Sequence, residues 1–238
     1  MEALYQRDKP GASCKIPRRL LYSSLTETIR GEITVKRILL LTTGGTIASR
    51  LTEEGLAPGL DGEALTRYLG GLAENYALTV RDILHLDSSN IQPEEWRLIA
   101  QCVFEAREQY DGVVVSHGTD TMAYTASVLS YMVQNIPIPV VLTGAQLPIE
   151  HPLSDGLDNL RTAFAMAASG YPGVFLAFNR KVMLGCRAVK TRTTDFDAFD
   201  SVNWPPVAVV NGSGLAVRRS AIPPLLGPCR LRDRLCEE

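Results

Sequence analysis

The sequence has no long apolar segment and no marked excess of charge of either sign. No apolar run approaches the roughly 20 residues that cross a bilayer, and the N-terminus lacks the apolar core of a signal peptide. The formal net charge is -2, so there is no electrostatic reason to expect a nucleic acid or an anionic membrane as partner. These absences favour a cytoplasmic protein that acts on a small molecule.

Several familiar chemical motifs are also missing. The five cysteines have irregular spacings and form no C-x-x-C pair, so we expect reduced thiols and neither a disulfide framework nor a metal site. No G-x-G-x-x-G or Walker loop, no G-x-S-x-G elbow and no H-E-x-x-H helix occurs. The sequence therefore offers no phosphate-binding loop, no serine-hydrolase elbow and no zinc-protease helix as a starting point.

The pattern that is present is typical of an α/β domain. Short apolar runs predict buried strands, and they alternate with stretches of helical periodicity. We expect strands at residues 38–41, 79–84, 111–116, 139–143, 173–178 and 207–210, and helices at 61–74, from Pro93 onward, at 120–134 and at 155–169. The predicted fold is three-layered, with a mostly parallel sheet and helices on both faces. Residues 1–34 lack periodicity and are expected to be a disordered or mis-assigned extension.

Small polar clusters follow the first four predicted strands. They read TTGGTIA at residues 42–48, DSSN at 87–90, SHGTDTM at 116–122 and TGAQ at 143–146. Because ligands bind outside the carboxyl ends of the strands in such sheets, we expect these four clusters to meet in one cleft.

The clusters could support nucleophilic catalysis. A threonine hydroxyl needs a base to become a good nucleophile, and Thr119, Asp120 and Lys190 could form a Thr-Lys-Asp relay. Each residue also has an ordinary structural interpretation when it is taken singly. Thr46 and Asp120 could be caps, and Lys190 a surface lysine. His117 is expected to be a packed or hydrogen-bonded loop residue and Trp96 a core residue.

Four segments resemble the bacterial-type asparaginase family. TGGTIA at residues 43–48 and HGTDTM at 117–122 look like its two signatures, in the family's order. DSSN at 87–90 and KTRTT at 190–194 match two further blocks. The DSSN form is similar to the cytosolic type of the family, and the likeness extends from about residue 36 to about residue 214.

The resemblance implies hydrolysis of the side-chain amide of L-asparagine to aspartate and ammonia, with no metal or cofactor. It implies that Thr46 is the nucleophile and that Thr119, Asp120 and Lys190 are the supporting relay. Contacts with the substrate are implied for Asp87, Ser88, Gly45, Gly118 and Ala145, with backbone N–H groups near Thr119 in an oxyanion hole.

Three departures from the family pattern bear on activity. The expected lid loop at residues 49–60 has Leu56 where many members have a tyrosine. Residues 215–238 look like a linker toward a C-terminal domain that this sequence does not contain, so the catalytic domain is expected at 35–214. The extension at 1–34 has no counterpart in the family. In the family, whose members are homodimers or homotetramers, the C-terminal domain of one protomer completes the active site of another. The resemblance therefore implies that this chain alone has little or no activity.

Two alternatives stay open at this point. The asparaginase-like subunit of a transfer-RNA-dependent amidotransferase shares the threonine signatures, although it has a folded domain before the catalytic one. The other alternative is a fragment without catalytic activity.

Overall fold

The computed structural model describes residues 35–52 and 55–232. The predicted extension at 1–34 lies outside them. The helices are Gly62–Leu69 (α1), Pro93–Ala106 (α2), Met122–Met132 (α3) and Gly156–Ala167 (α4). The strands are Lys36–Gly44 (β1), Ser49–Thr52 (β2), Gly55–Pro58 (β3), Tyr76–Leu86 (β4), Gly112–Ser116 (β5), Val133–Gln134 (β6), Pro139–Thr143 (β7), Gly173–Phe178 (β8), Lys181–Leu184 (β9), Ala188–Lys190 (β10), Phe199–Ser201 (β11), Ala208–Asn211 (β12), Gly214–Val217 (β13) and Arg230–Leu231 (β14).

The main sheet has eight strands in the order β13-β12-β9-β8-β7-β5-β1-β4. The five strands from β8 to β4 in that order are mutually parallel, whereas β9, β12 and β13 add as an antiparallel extension. Each predicted strand has a counterpart in this sheet. The mostly parallel α/β architecture is therefore confirmed.

The apolar runs are continuous because both faces of the sheet are covered. On one face Leu39 and Leu41 pack with the residues of α2 and α3. On the other face Ile38 and Leu40 pack with the residues of α1 and α4. All four side chains are fully buried. Alternate residues of one strand thus enter two different cores, which is the three-layer arrangement that the sequence predicts.

The helix expected over residues 61–74 is shorter than predicted. It begins after Asp61, whose carboxylate accepts a hydrogen bond from Ala64 N at 2.7 Å. It ends at Leu69 because Gly70 takes a φ of 50°, which leaves the α-helical region. The chain continues as a 3-10 turn over Gly70–Asn75.

The segment after residue 214 continues to pack on the domain. The expected boundary at 214 falls inside the hairpin of β12 and β13, and β13 is the edge strand of the main sheet. Further on, β14 pairs with β6. Among the described residues, no helix combines the length and the apolar character needed to cross a membrane.

Candidate active site

The candidate site lies where the strand order of the sheet reverses. The chain passes from β1 to β4 on one side and then returns to β5 on the other side of β1. Such a switch point leaves a crevice at the carboxyl ends of the two adjacent strands. Gly44–Thr46 leave β1 at this crevice, and His117–Asp120 leave β5 beside them.

Glycines allow the loops at this crevice to approach one another more closely than a side chain would permit. A Cβ on Gly45 would lie 2.4 Å from Gly118 N, and a Cβ on Gly118 would lie 2.6 Å from Ser88 Oγ. A Cβ on Gly144 would lie 2.3 Å from His117 O. No side chain fits in these gaps. The four clusters that follow β1, β4, β5 and β7 therefore interlock, as the sequence predicts.

The three members of the predicted relay lie together. Lys190 Nζ donates to Thr119 Oγ1 at 2.9 Å and to Asp120 Oδ1 at 2.7 Å. The lysine side chain is 15% exposed and that of Asp120 is 64% exposed, so the ion pair lies at the rim of the protein. Thr119 is buried below it, at 6% exposure. Lys190 reaches this position because it ends β10, which is held by β11.

Gln146 is part of this group, although its sequence context predicts no role for it. Thr119 Oγ1 donates to Gln146 Oε1 at 3.2 Å, and Gln146 Nε2 donates to the carbonyl oxygens of Thr193 and Asp195, both at 2.9 Å. Two carbonyl acceptors fix the orientation of the amide. Gln146 thus connects Thr119 to the loop that follows Lys190. Its place in the TGAQ cluster is the only signal of this role in the sequence.

The other predicted site residues occupy the same crevice or its edge. Thr46 begins a 3-10 turn after Gly45 and is half-buried, and its hydroxyl has no hydrogen-bond partner in the described part of the chain. Ser88 is 3% exposed and Ala145 is 1% exposed. Asp87 is on the surface, where hydrogen bonds from the Ser89 hydroxyl and backbone N–H hold the pKa of its carboxyl below the usual value. Asp87 is therefore a stable anion at the edge of the crevice.

The expected lid loop forms a hairpin. Strands β2 and β3 pair antiparallel, and the residue after the hairpin, Gly59, donates from its N–H to Ala48 O at 3.1 Å. Leu60 donates to the same carbonyl at 2.8 Å. The hairpin is thus anchored directly behind Thr46.

His117 is buried below the crevice. It has 0% exposure, and burial lowers the pKa of its imidazole from 6.5 to about 4. The hydrogen bond between its Nδ1 and Gly118 O, at 2.7 Å, offsets part of this effect. The histidine is therefore neutral at physiological pH, as a packed loop residue would be.

A cavity of about 480 Å³ borders the ion pair. Asp120 and Lys190 line it together with Tyr124, Ser127 and Thr193, whereas Thr46 does not. The described residues contain no group of His, Cys, Asp and Glu side chains suited to a metal ion. The chemistry available at the crevice is thus that of hydroxyls, a lysine and carboxylates.

The fold and the site define an α/β protein with a threonine–lysine–aspartate constellation at its switch point. The family model described as "Asparaginase, N-terminal" matches residues 37–223. The chain belongs to the asparaginase family.

Known relatives are similar over most of this chain. An L-asparaginase from Thermococcus kodakarensis is 50% identical over 183 residues, which are 76% of this chain and 56% of that protein. The structure described as the thermostable L-asparaginase from the same organism superposes with a TM-score of 0.77 at 46% identity, over 83% of this chain and 60% of that one. A subunit of the glutamyl-tRNA(Gln) amidotransferase from Thermoplasma acidophilum is 37% identical over 189 residues, which are 75% of this chain and 46% of that protein. The chain thus spans less than two thirds of each.

Proposed function

We propose that this chain carries the amide-hydrolysing centre of an L-asparaginase, with L-asparagine as substrate and Thr46 as nucleophile. The observation that carries the proposal is the contact of Lys190 with both Thr119 and Asp120, at 2.9 and 2.7 Å. The loop of this group touches the loop that carries Thr46, since a Cβ on Gly45 would lie 2.4 Å from Gly118 N. The 50% identity to an L-asparaginase supports the choice of reaction.

The reaction proceeds in two steps in this proposal. Thr46 Oγ1 attacks the side-chain amide carbon, and the C–N bond breaks as ammonia leaves with a proton. Water then cleaves the acyl-threonine ester, which yields aspartate and restores the Thr46 hydroxyl. Thr119 and Lys190 activate the attacking hydroxyl or water, and Lys190 accepts a proton only when it is neutral.

In this proposal, residues in the crevice and at its edge bind the charged α-amino and α-carboxylate groups of the substrate. The Asp87 carboxylate suits the α-amino group of asparagine, since it is anionic and exposed. Ser88 faces the α-carboxylate, and Gly45, Gly118 and Ala145 frame the side-chain amide. No cofactor takes part. A cytoplasmic location and a homodimeric or homotetrameric assembly complete the proposal, and fractionation and size-exclusion chromatography test them.

Ammonia release from L-asparagine by the purified chain tests the reaction, with Thr46→Ala as the comparison. We expect weak turnover that disappears in Thr46→Ala, because that substitution removes the nucleophilic hydroxyl. The matched control is Thr66→Ala on helix α1, whose hydroxyl donates to Glu63 O at 2.7 Å. Equal rates in the wild type and Thr46→Ala contradict the role of Thr46. A folded wild type that releases no ammonia favours the fragment without activity.

The amidotransferase interpretation has weaker support. The amidotransferase relative is 37% identical, against 50% for the asparaginase. The two interpretations differ in acceptor, because an amidotransferase subunit passes its ammonia to a partner. Ammonia release that rises only when a partner subunit and charged transfer RNA are added would favour this second interpretation.

A further inference from the structure

A line of buried and partly buried hydrogen bonds leads from helix α2 through helix α3 to the candidate site. Trp96 Nε1 donates to Thr125 Oγ1 at 2.9 Å. Thr125 Oγ1 lies 2.9 Å from His117 Nε2, and His117 Nδ1 lies 2.7 Å from Gly118 O. Thr125 and His117 both have 0% exposure. None of these contacts is used by the nucleophilic chemistry described above.

The direction of each hydrogen bond in this line is determined. An indole N–H only donates and a carbonyl oxygen only accepts, so His117 Nδ1 carries the proton that bonds Gly118 O. A neutral imidazole has one donor and one acceptor, which makes His117 Nε2 the acceptor of the Thr125 hydroxyl proton. Burial keeps the pKa of His117 at about 4, so this neutral tautomer persists at physiological pH. Each group in the line therefore donates its hydrogen bond toward the next, and the last acceptor is Gly118 O.

Fixing the Gly118 carbonyl also fixes the N–H of the next residue. In a trans peptide the C=O and the N–H of one unit point in opposite directions, and the described residues contain no cis peptide. The Gly118 carbonyl points into the core at His117, so the Thr119 N–H points away from it. That N–H has no acceptor within the described residues. It is available to a ligand in the crevice.

We propose that Trp96, Thr125 and His117 are positioning residues, which hold the Gly118–Thr119 peptide so that the Thr119 N–H binds the oxyanion formed on the substrate amide. The inference rests on the proposed function for the identity of that oxyanion. A donor fixed before the reaction stabilises the developing negative charge without reorganisation. The Thr125 hydroxyl connects helices α2 and α3 to this peptide through His117. The line thus acts at a distance, through the peptide and not by contact with substrate.

The test compares Thr125→Val with Thr125→Ser in the 238-residue chain. Valine has the shape of threonine without the hydroxyl, and serine restores the hydroxyl. Nitrogen-15 NMR of the imidazole should show protonated Nδ1 and bare Nε2 in the wild type and in Thr125→Ser, with this pattern lost in Thr125→Val. The proteins are then titrated with L-aspartate, whose carboxylate mimics the oxyanion. The Thr119 amide resonance should shift in the wild type and in Thr125→Ser. The movement should fall by about half or more in Thr125→Val.

Kinetics supply the second measurement. Thr125→Val should lower kcat about tenfold and leave KM within about twofold, because the peptide is displaced but the substrate head group is still bound. Trp96→Phe removes only the outermost donor and should have a smaller effect in the same direction. It keeps the inference testable if Thr125→Val does not fold. Ser130→Ala is the matched control, since it loses a hydrogen bond of the same helix, to Ala126 O at 2.8 Å, outside the line.

The outcomes separate this inference from the proposed function. A His117 imidazole protonated on Nε2 in the wild type overturns the inference, as does an aspartate response that is equal in Thr125→Val and Thr125→Ser. A wild-type chain that releases no ammonia but shows the expected tautomer and the loss of response in Thr125→Val supports the inference. That result counts against the proposed function alone.

Discussion

Mild acid should destabilise the fold through one residue, His117. Its imidazole is fully buried, and burial lowers its pKa from 6.5 to about 4. In the unfolded chain the imidazole regains its ordinary pKa, so between these two values the unfolded state binds a proton that the folded state does not. Stability from this group is therefore complete above the unfolded pKa and is lost as the pH falls toward the folded pKa.

The magnitude follows from the two pKa values. Each unit of difference corresponds to about 1.4 kcal/mol, which gives about 3 kcal/mol for the complete shift. Between about pH 7 and about pH 5, the expected loss in the free energy of unfolding is about 2 kcal/mol. Asp87, Asp111 and Asp197 also have lowered pKa values, but their carboxyls take up protons only in stronger acid. The range from pH 7 to pH 5 thus isolates the histidine.

Urea denaturation at a series of pH values measures this loss. The comparison is His117→Asn, whose amide can still donate toward Gly118 but does not titrate. The other two histidines, His85 and His151, are exposed and remain in both proteins as an internal control. We expect the stability of the wild type to fall with acid and that of His117→Asn to stay level. Parallel pH curves for the two proteins would refute the reasoning, because the acid loss would then come from other groups.

Three further substitutions test the packing, a helix cap and the ion pair. Gly45→Ala should cost roughly 2–4 kcal/mol of unfolding free energy, since φ is 83° there and a Cβ would lie 2.4 Å from Gly118 N. In the same urea assay Gly71→Ala, which meets open space, should change by less than about 0.5 kcal/mol. Asp61→Ala should cost about 1 kcal/mol in thermal unfolding because the cap on Ala64 N is lost, and Asp61→Asn should recover most of it. An unchanged melting temperature in Asp61→Ala would contradict the cap. Asp120→Asn should lower kcat about tenfold or more, but should change stability by less than about 1 kcal/mol because the ion pair is exposed. Equal kcat values would exclude Asp120 from the chemistry.

The parallel strands were predictable, whereas only β12 of the antiparallel extension was predicted, by the strand expected at residues 207–210. Strands β1, β5, β7 and β8 are largely apolar because both of their faces are buried, whereas the edge strand β4 carries charged residues and is mostly exposed. Strand β9 follows β8 through a turn in which Asn179 and Arg180 have φ values of 46° and 61°. Two residues with positive φ suit a tight hairpin, but the usual sequence signal for such a turn has glycine in second place. Arginine at that position gave no indication of a turn.

The location of the candidate site was predictable from the sequence, but the hydrogen bonds behind it were not. The strand-end clusters identify the crevice because topology brings such ends together. The connection of Trp96 to Thr125 crosses 29 positions between two helices, and both residues fit apolar helix faces. In the sequence they are indistinguishable from core residues. Only coordinates show that an indole and a hydroxyl there satisfy a buried histidine.

The deep part of the site and its edge differ in packing and in exposure. Deep in the crevice, Gly45, Gly118 and Ser88 interlock so closely that a shift of one loop must move the next. Close packing of this kind resists small displacements, and it fixes the backbone directly before Thr46 and Thr119. At the edge, Asp87 and Asp120 are exposed anions. Under the proposed function, the fold of the sheet therefore sets the positions of Thr46 and Thr119, whereas Asp87, the proposed partner of the α-amino group, lies at the exposed edge.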